Sequence, residues 1–425
     1  MICWAFFDFI LKTSDMPRVL FLMPTKTYRA SAFLAAAVKL NIDAVVGSER
    51  KQALEVFTPD RTLTLDFSNP GKATQTIIEF AKKHPVNAII PVDENTAVIG
   101  SLASEALDLP RNSPESAIAA REKQRMRAIL NKADLPSPDS TVFSTKEEPK
   151  ELAQKIKYPC VLKPLFLSSS RGVIRANEPA EFISAFKKIK TILSDPEIIK
   201  SDPKLSRQIL VETFVPGDEV AVEGIFTEGK LKVLAIFDKP DPLNGPYFEE
   251  TIYVTPSRHP EEILQQLEST VVQASQGMGI QHGAVHAELR INQDGVWLIE
   301  IAARSIGGMC SKVLRFDLDM SLEELIIRHA IGEKIEEFNR EKQAAGVMMI
   351  PIPKLGILKE ILGLKQAQSI SGIEEIKITI PISQKVVPLP EGNKYLGFIF
   401  SRREKPEVVE ETLKEAHERL EFVIE

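Results

Sequence analysis

The chain has 425 residues, more than one ordinary core accommodates, so two or three domains are expected. Apolar residues make up 44% and charged residues 26%, a globular balance, and a formal net charge of −6 without any long Lys/Arg run argues against a nucleic-acid partner. Cys3, Cys160 and Cys310 are scattered, with no CxxC or Cys/His spacing, so neither a disulfide framework nor a zinc site is indicated and a reducing cytoplasm fits.

Residues 2–11 are nearly all apolar, yet no basic segment precedes them, no small-residue cleavage site follows, and the run is too short to cross a bilayer. Met16 stands just ahead of the first convincing strand, so residues 1–16 read as an extension of unknown role. Apolar runs at 19–23, 43–46 and 88–91 alternate with helical stretches at 30–40 and 74–83, the pattern of a small parallel α/β domain over 17–112. A Pro-rich boundary follows at 109–114. Beyond it a charged helix is expected over 115–132, then strands at 160–163, 208–212, 219–226 and 231–237. Helices are expected near 180–193 and 260–278, and a strand pair over 286–301. Short β-prone stretches at 347–352, 376–380 and 395–401 and a helix at 406–420 make residues 334–425 a small α+β domain. The fold class is α/β at the N-terminus and α+β overall, with antiparallel sheets in the middle portion, 113–333.

The strand pair carries the strongest chemical signal. Its strands alternate polar and apolar residues around Asn292-Gln-Asp-Gly295, and a three-residue hairpin loop with Gly295 left-handed puts Glu288 opposite Glu300. In that register Ala287, Leu289, Trp297 and Ile299 face the other way. Facing carboxylates repel unless a cation lies between them, which suits a magnesium bound to phosphate oxygens; a solvent-facing pair, or one bonded to arginines, has the same pattern. Arg304 follows, able to hold charge on phosphoryl or tetrahedral oxygens or simply to pair with an acid, and Gly307 and Gly308 allow backbone to approach a ligand closely. Lys163 ends an apolar strand before a serine-rich loop, a place for an anionic partner such as nucleotide phosphate, although a snorkelling lysine reads the same way. No Walker A or GxGxxG pattern is present.

Taken in order, these residues resemble the ATP-grasp superfamily, and within it the L-amino acid ligases that form dipeptides, including the bacilysin-synthesising type. The resemblance runs from about residue 17 to the C-terminus and makes 17–112 the pre-ATP-grasp domain, 113–333 the two-part ATP-grasp core, and 334–425 the ligase-type C-terminal domain. It implies that Lys123 and Lys163 are the two ATP lysines and that Ser168, Ser169, Ser170 and Gly172 belong to the phosphate-covering loop, with serines where glycines are usual. Glu212, Thr213, Phe214 and Val215 resemble the adenine hinge, Glu219 the ribose acid, Glu288 and Glu300 the metal carboxylates, and Arg304 the catalytic arginine. Where many members have Glu-x-Asn-Pro-Arg, this chain has Ala302 and Ala303 before Arg304, as similar ligases do. Segments 91–95 and 245–251 look like those that place Glu94 and Glu250 near the amino-acid substrate in that branch, although both also suit plain surface acids.

The resemblance implies ATP and magnesium, or manganese in its place, as cofactors. It further implies a small-molecule carboxylate and an amine as substrates, no nucleic acid or membrane partner, and a cytoplasmic protein for which a homodimer is allowed. Two other activities fit the same motifs: a bicarbonate-activating, carboxylase-like enzyme and a non-catalytic ATP-binding regulator.

Overall fold

A computed structural model describes residues 16–51 and 60–425. The extension expected over 1–16 therefore lies, apart from Met16, outside the described residues. The first part is a parallel sheet in the order Thr62–Thr64, Asp43–Ser48, Arg18–Leu22, Ala88–Pro91. Strand Arg18–Leu22 is buried on both faces, which is why it reads as a continuous apolar run. Val19 and Phe21 pack with Phe33 of helix Ala30–Lys39, while Leu20 and Leu22 pack with Ile77 and Phe80 of helix Pro70–Lys83. The second of these helices starts where the Asn69 side chain accepts the Lys72 N–H, with Pro70 in the first turn, and ends on Lys82 and Lys83.

The single helix expected over 115–132 is two, Pro114–Arg121 and Lys123–Lys132. Glu122 between them is extended (φ −95°, ψ 101°), and the Lys123 N–H donates to the Leu165 carbonyl at 3.3 Å. Apolar periodicity runs through such a break unchanged, so only the backbone reveals it.

An antiparallel sheet follows in the order Ser140–Ser144, Gln208–Thr213, Cys160–Pro164, Ile174–Ala176, covered by Phe182, Phe186 and Ile189 of helix Pro179–Leu193. The largest sheet has eight antiparallel strands. Their order is Gly295–Ala302, Gly283–Asn292, Asp218–Thr227, Lys230–Lys239, Ile252–Thr255, Ala344–Ile350, Gly397–Arg403, Ile373–Ile378. It runs on across residue 333, so the last three strands continue the sheet that carries Glu288 and Glu300. Leu267, Val271 and Ala274 of helix Glu261–Met278 cover one part, and Val409 and Leu413 of helix Pro406–Glu418 another. One apolar cluster joins Phe21 and Phe33 of the parallel part to Ile225, Phe237 and Phe400 of the large sheet, fixing the two together. The chain is α/β at its N-terminus and α+β overall.

The hairpin differs in detail from expectation. Asn292 pairs with Gly295, so the turn holds two residues rather than three, and Ile299 is a bulge that restores Glu288 opposite Glu300. Consequently Trp297 and Ile299 do not share the face of Ala287 and Leu289; Val296, Leu298 and Ile301 do, inside the apolar cluster.

Candidate active site

Where the parallel part and the two antiparallel sheets meet lies a cavity of about 1050 Å³. Glu94, Lys123, Lys163, Ser168, Ser169, Ser170, Glu212, Thr213, Phe214, Val215, Glu219, Glu250, Glu288, Glu300, Arg304, Gly307 and Gly308 all line it. Gly172 is not among the lining residues. Its N–H donates to the Pro390 carbonyl at 2.9 Å, and at φ 75° an added Cβ would fall 2.8 Å from Pro164, so it packs the loop against the strand end.

At one end cations prevail. The break at Glu122 puts Lys123 at the first helical position, with Nζ 3.1 Å from Glu300 and 3.3 Å from the Leu167 carbonyl. Burial works against its charge, but Glu300 and Glu94 outweigh burial and hold the ammonium above its ordinary value. Lys163, at the end of a wholly buried strand, meets Glu212 at 2.6 Å, and Arg127 meets the other oxygen of Glu212 at 2.7 Å. Burial raises the Glu212 carboxyl, and Arg127 and Lys163 more than reverse it. The loop between adopts left-handed conformations at Ser169 and Ser170 (φ 56° and 53°), which cost a residue with a Cβ about 1–2 kcal/mol each.

The other end is acidic. Lys239 closes strand Lys230–Lys239 and lies 2.8 Å from Glu219, 2.8 Å from Glu250 and 3.1 Å from Glu288. Arg290 holds the second oxygen of Glu219 at 2.8 Å. Burial, with Glu288 adding to it, pushes the Glu250 carboxyl up to about 7 despite Lys239. Desolvation raises the half-buried Glu288 too, but Lys239 and His286 hold it well below the carboxylate range. His286 sits 3.6 Å from Glu288 and, through its other nitrogen, 3.3 Å from the fully buried Glu223.

Just past strand Gly295–Ala302, Arg304 reaches Glu94 at 3.3 Å, and its guanidinium also donates to the Ser305 carbonyl at 3.0 Å. The loop after it is tied on two sides. Both Glu223 oxygens accept the Ile306 N–H, at 3.1 and 3.0 Å, and the Tyr28 hydroxyl accepts the Gly308 N–H at 2.5 Å. Arg29 donates to the Val92 carbonyl at 2.5 Å and to the Ser305 hydroxyl.

Sequence reasoning passed over Lys239, Arg127, His286, Arg290 and Glu223. For Lys239 the signal was present: Lys239-Pro240 ends an apolar strand as Lys163-Pro164 does.

Comparison with known proteins adds three family matches: the ATP-grasp N-terminal domain over residues 34–111, the ATP-grasp domain over 156–313, and the L-amino acid ligase C-terminal domain 2 over 348–425. The alanine–anticapsin ligase of Bacillus subtilis is 29% identical over 248 residues, 56% of this chain and 52% of that protein. Dapdiamide A synthase of Enterobacter agglomerans is 28% identical over 261 residues, 60% of each. The chain thus spans between half and two thirds of the length of these curated relatives. In fold it is similar to the L-amino acid ligase from Bacillus licheniformis, with a TM-score of 0.81 at 24% identity over 97% of this chain and 100% of that one. It also resembles N5-carboxyaminoimidazole ribonucleotide synthetase from Thermotoga maritima, at 0.68 and 15% over 96% and 100%.

Proposed function

We propose that the chain, whose parts match ATP-grasp and L-amino acid ligase family models, is an ATP-grasp enzyme most like the L-amino acid ligase branch, and that it uses ATP to join a carboxylate to an amine through an acyl phosphate, making a dipeptide or similar amide. The observation that carries the reading is convergence: Lys123, Lys163, Glu288, Glu300 and Arg304, from separate stretches, line one cavity. In this reading 17–112, 113–333 and 334–425 act as the pre-ATP-grasp, ATP-grasp and C-terminal units.

Lys123, Lys163 and the serine loop bind the ATP phosphates, the 212–215 hinge takes the adenine, and Glu219 takes the ribose, pre-oriented by Arg290 and Lys239. Glu288 and Glu300 fit magnesium or manganese: two carboxylates on paired strand positions at the cavity offer the oxygen donors that hard cations prefer. That ion, when bound, supplies neutralisation of phosphate charge. The positioned phosphates leave the γ-phosphorus open to a substrate carboxylate oxygen; the bond to the β-phosphate oxygen breaks and ADP departs. An uncharged amine then attacks the acyl carbon and phosphate leaves, with Arg304 holding the tetrahedral oxyanion. Glu94 and Glu250 receive the ammonium of an amino-acid substrate.

Hydroxylamine tests this without knowledge of the amine. In a panel of single amino acids with magnesium and ATP, the correct carboxylate should yield a hydroxamate and an equal amount of ADP. ADP release dependent on bicarbonate alone, with no hydroxamate from any amino acid, refutes the ligase reading.

A further inference from the structure

Three carboxylates of Glu219, Glu250 and Glu288 offer oxygens within 4.8 Å of one another, close enough for a single ion to touch all three. The space between them is already taken. Lys239, with its side chain only 3% exposed, places its ammonium 2.8, 2.8 and 3.1 Å from those residues, and the Tyr253 ring backs it at 4.8 Å. A lysine this deeply buried is rare unless paired, and here all its partners are the carboxylates that a divalent cation would compete for. The ammonium and a metal ion cannot both occupy the space enclosed by the three carboxylates, where little water would screen one cation from the other. Glu300, the cross-strand partner of Glu288, lies outside this arrangement and pairs with Lys123 instead.

We propose that Lys239 is a built-in counter-cation that keeps divalent metal out of the Glu219–Glu250–Glu288 cluster, so that Glu288 meets metal only together with Glu300. The proposal rests on the reading of Glu288 and Glu300 as the metal pair. It assigns Lys239 a positioning role: the lysine sets where the ion sits and leaves Glu250 facing the cavity for substrate.

Electron paramagnetic resonance titration with manganese, on the full chain without nucleotide, reads this directly. Lys239→Met and Lys239→Gln should each gain one Mn²⁺ bound at least tenfold tighter than any in the parent, and adding Glu250→Gln should abolish the gain. Unchanged Mn²⁺ binding in either folded variant, judged by its melting curve, overturns the proposal. Glu250→Gln in the parent background, where the lysine is intact, should leave Mn²⁺ binding as it was. A tenfold weakening there would mean that Glu250 holds metal beside Lys239, which also overturns it, even if neither lysine variant folds. Neither ATP nor turnover enters, so failure of the ligase reading leaves this result standing; Glu300→Gln with Mn²⁺ and ATP tests the metal pair separately.

Discussion

The two ends of the cavity are built from the same residue types in opposite proportion. At one, Lys123, Lys163 and Arg127 face Glu212 and Glu300, so positive charge is in excess; at the other, Glu219, Glu250 and Glu288 face Lys239 and Arg290, and negative charge is in excess. Buried ion pairs seldom repay their own desolvation, so stability alone gives little reason to assemble so many. The unmatched charge is the informative part. An excess of cations suits phosphate, and an excess of carboxylates suits a cation or a substrate ammonium. Compensation differs accordingly. Glu212, clasped by two cations, stays below its ordinary value, whereas Glu250, sharing one lysine with two other acids, rises to about 7.

The largest effect is expected at Arg304, whose charge is supported by both Glu94 and Glu300. Arg304→Ala should lower kcat on the order of 10²–10³, about 3–4 kcal/mol, while ATP affinity stays nearly normal. Arg304→Lys should recover little, since a point charge does not reproduce the planar fork. A variant with normal kcat and a lowered Tm would reduce Arg304 to an ion-pair partner of Glu94.

Glu250 sharpens the comparison through pH. Its folded value of about 7 exceeds the ordinary 4.5, so the folded chain holds an extra proton between those limits. The parent should therefore lose stability as pH rises through that window and recover none above it. Glu250→Gln should match the parent near pH 4 and melt higher at pH 8. Parallel melting profiles would mean that the acidic end is fully compensated.

A smaller change is expected for Glu300→Gln, which removes one negative charge and keeps size. Magnesium affinity in the presence of ATP should weaken roughly tenfold, about 1.4 kcal/mol, with turnover falling alongside. Calorimetry that finds magnesium affinity unaltered would place the ion elsewhere.

How much of this was legible beforehand depends on the range of the interaction. Strand Arg18–Leu22 and helix Pro70–Lys83 follow from local pattern and caps. The facing of Glu288 and Glu300 was reached through a loop one residue too long and a strand without its bulge, two offsets that cancel. Helix Leu322–Ala330 was missed although Ser321 and Glu324 spell a capping box, a signal that was there to read. The short strands Ser140–Ser144 and Ile174–Ala176 owe their existence to pairing partners distant in sequence. So do the Arg127–Glu212 and Lys239–Glu288 contacts, which no spacing rule announces. Among the described residues no helix is long and apolar enough to cross a membrane; the apolar run at 2–11 lies outside them.

The most direct test of the account is a product analysis. Purified protein, magnesium and ATP are incubated with amino acids singly and in pairs, nucleotides are quantified, and new amides are identified by mass spectrometry. At least one pair should give ADP, phosphate and a dipeptide or related amide in equal amounts, with little ADP when either partner is left out. AMP and pyrophosphate as the primary products would contradict γ-phosphoryl transfer, and with it the central claim.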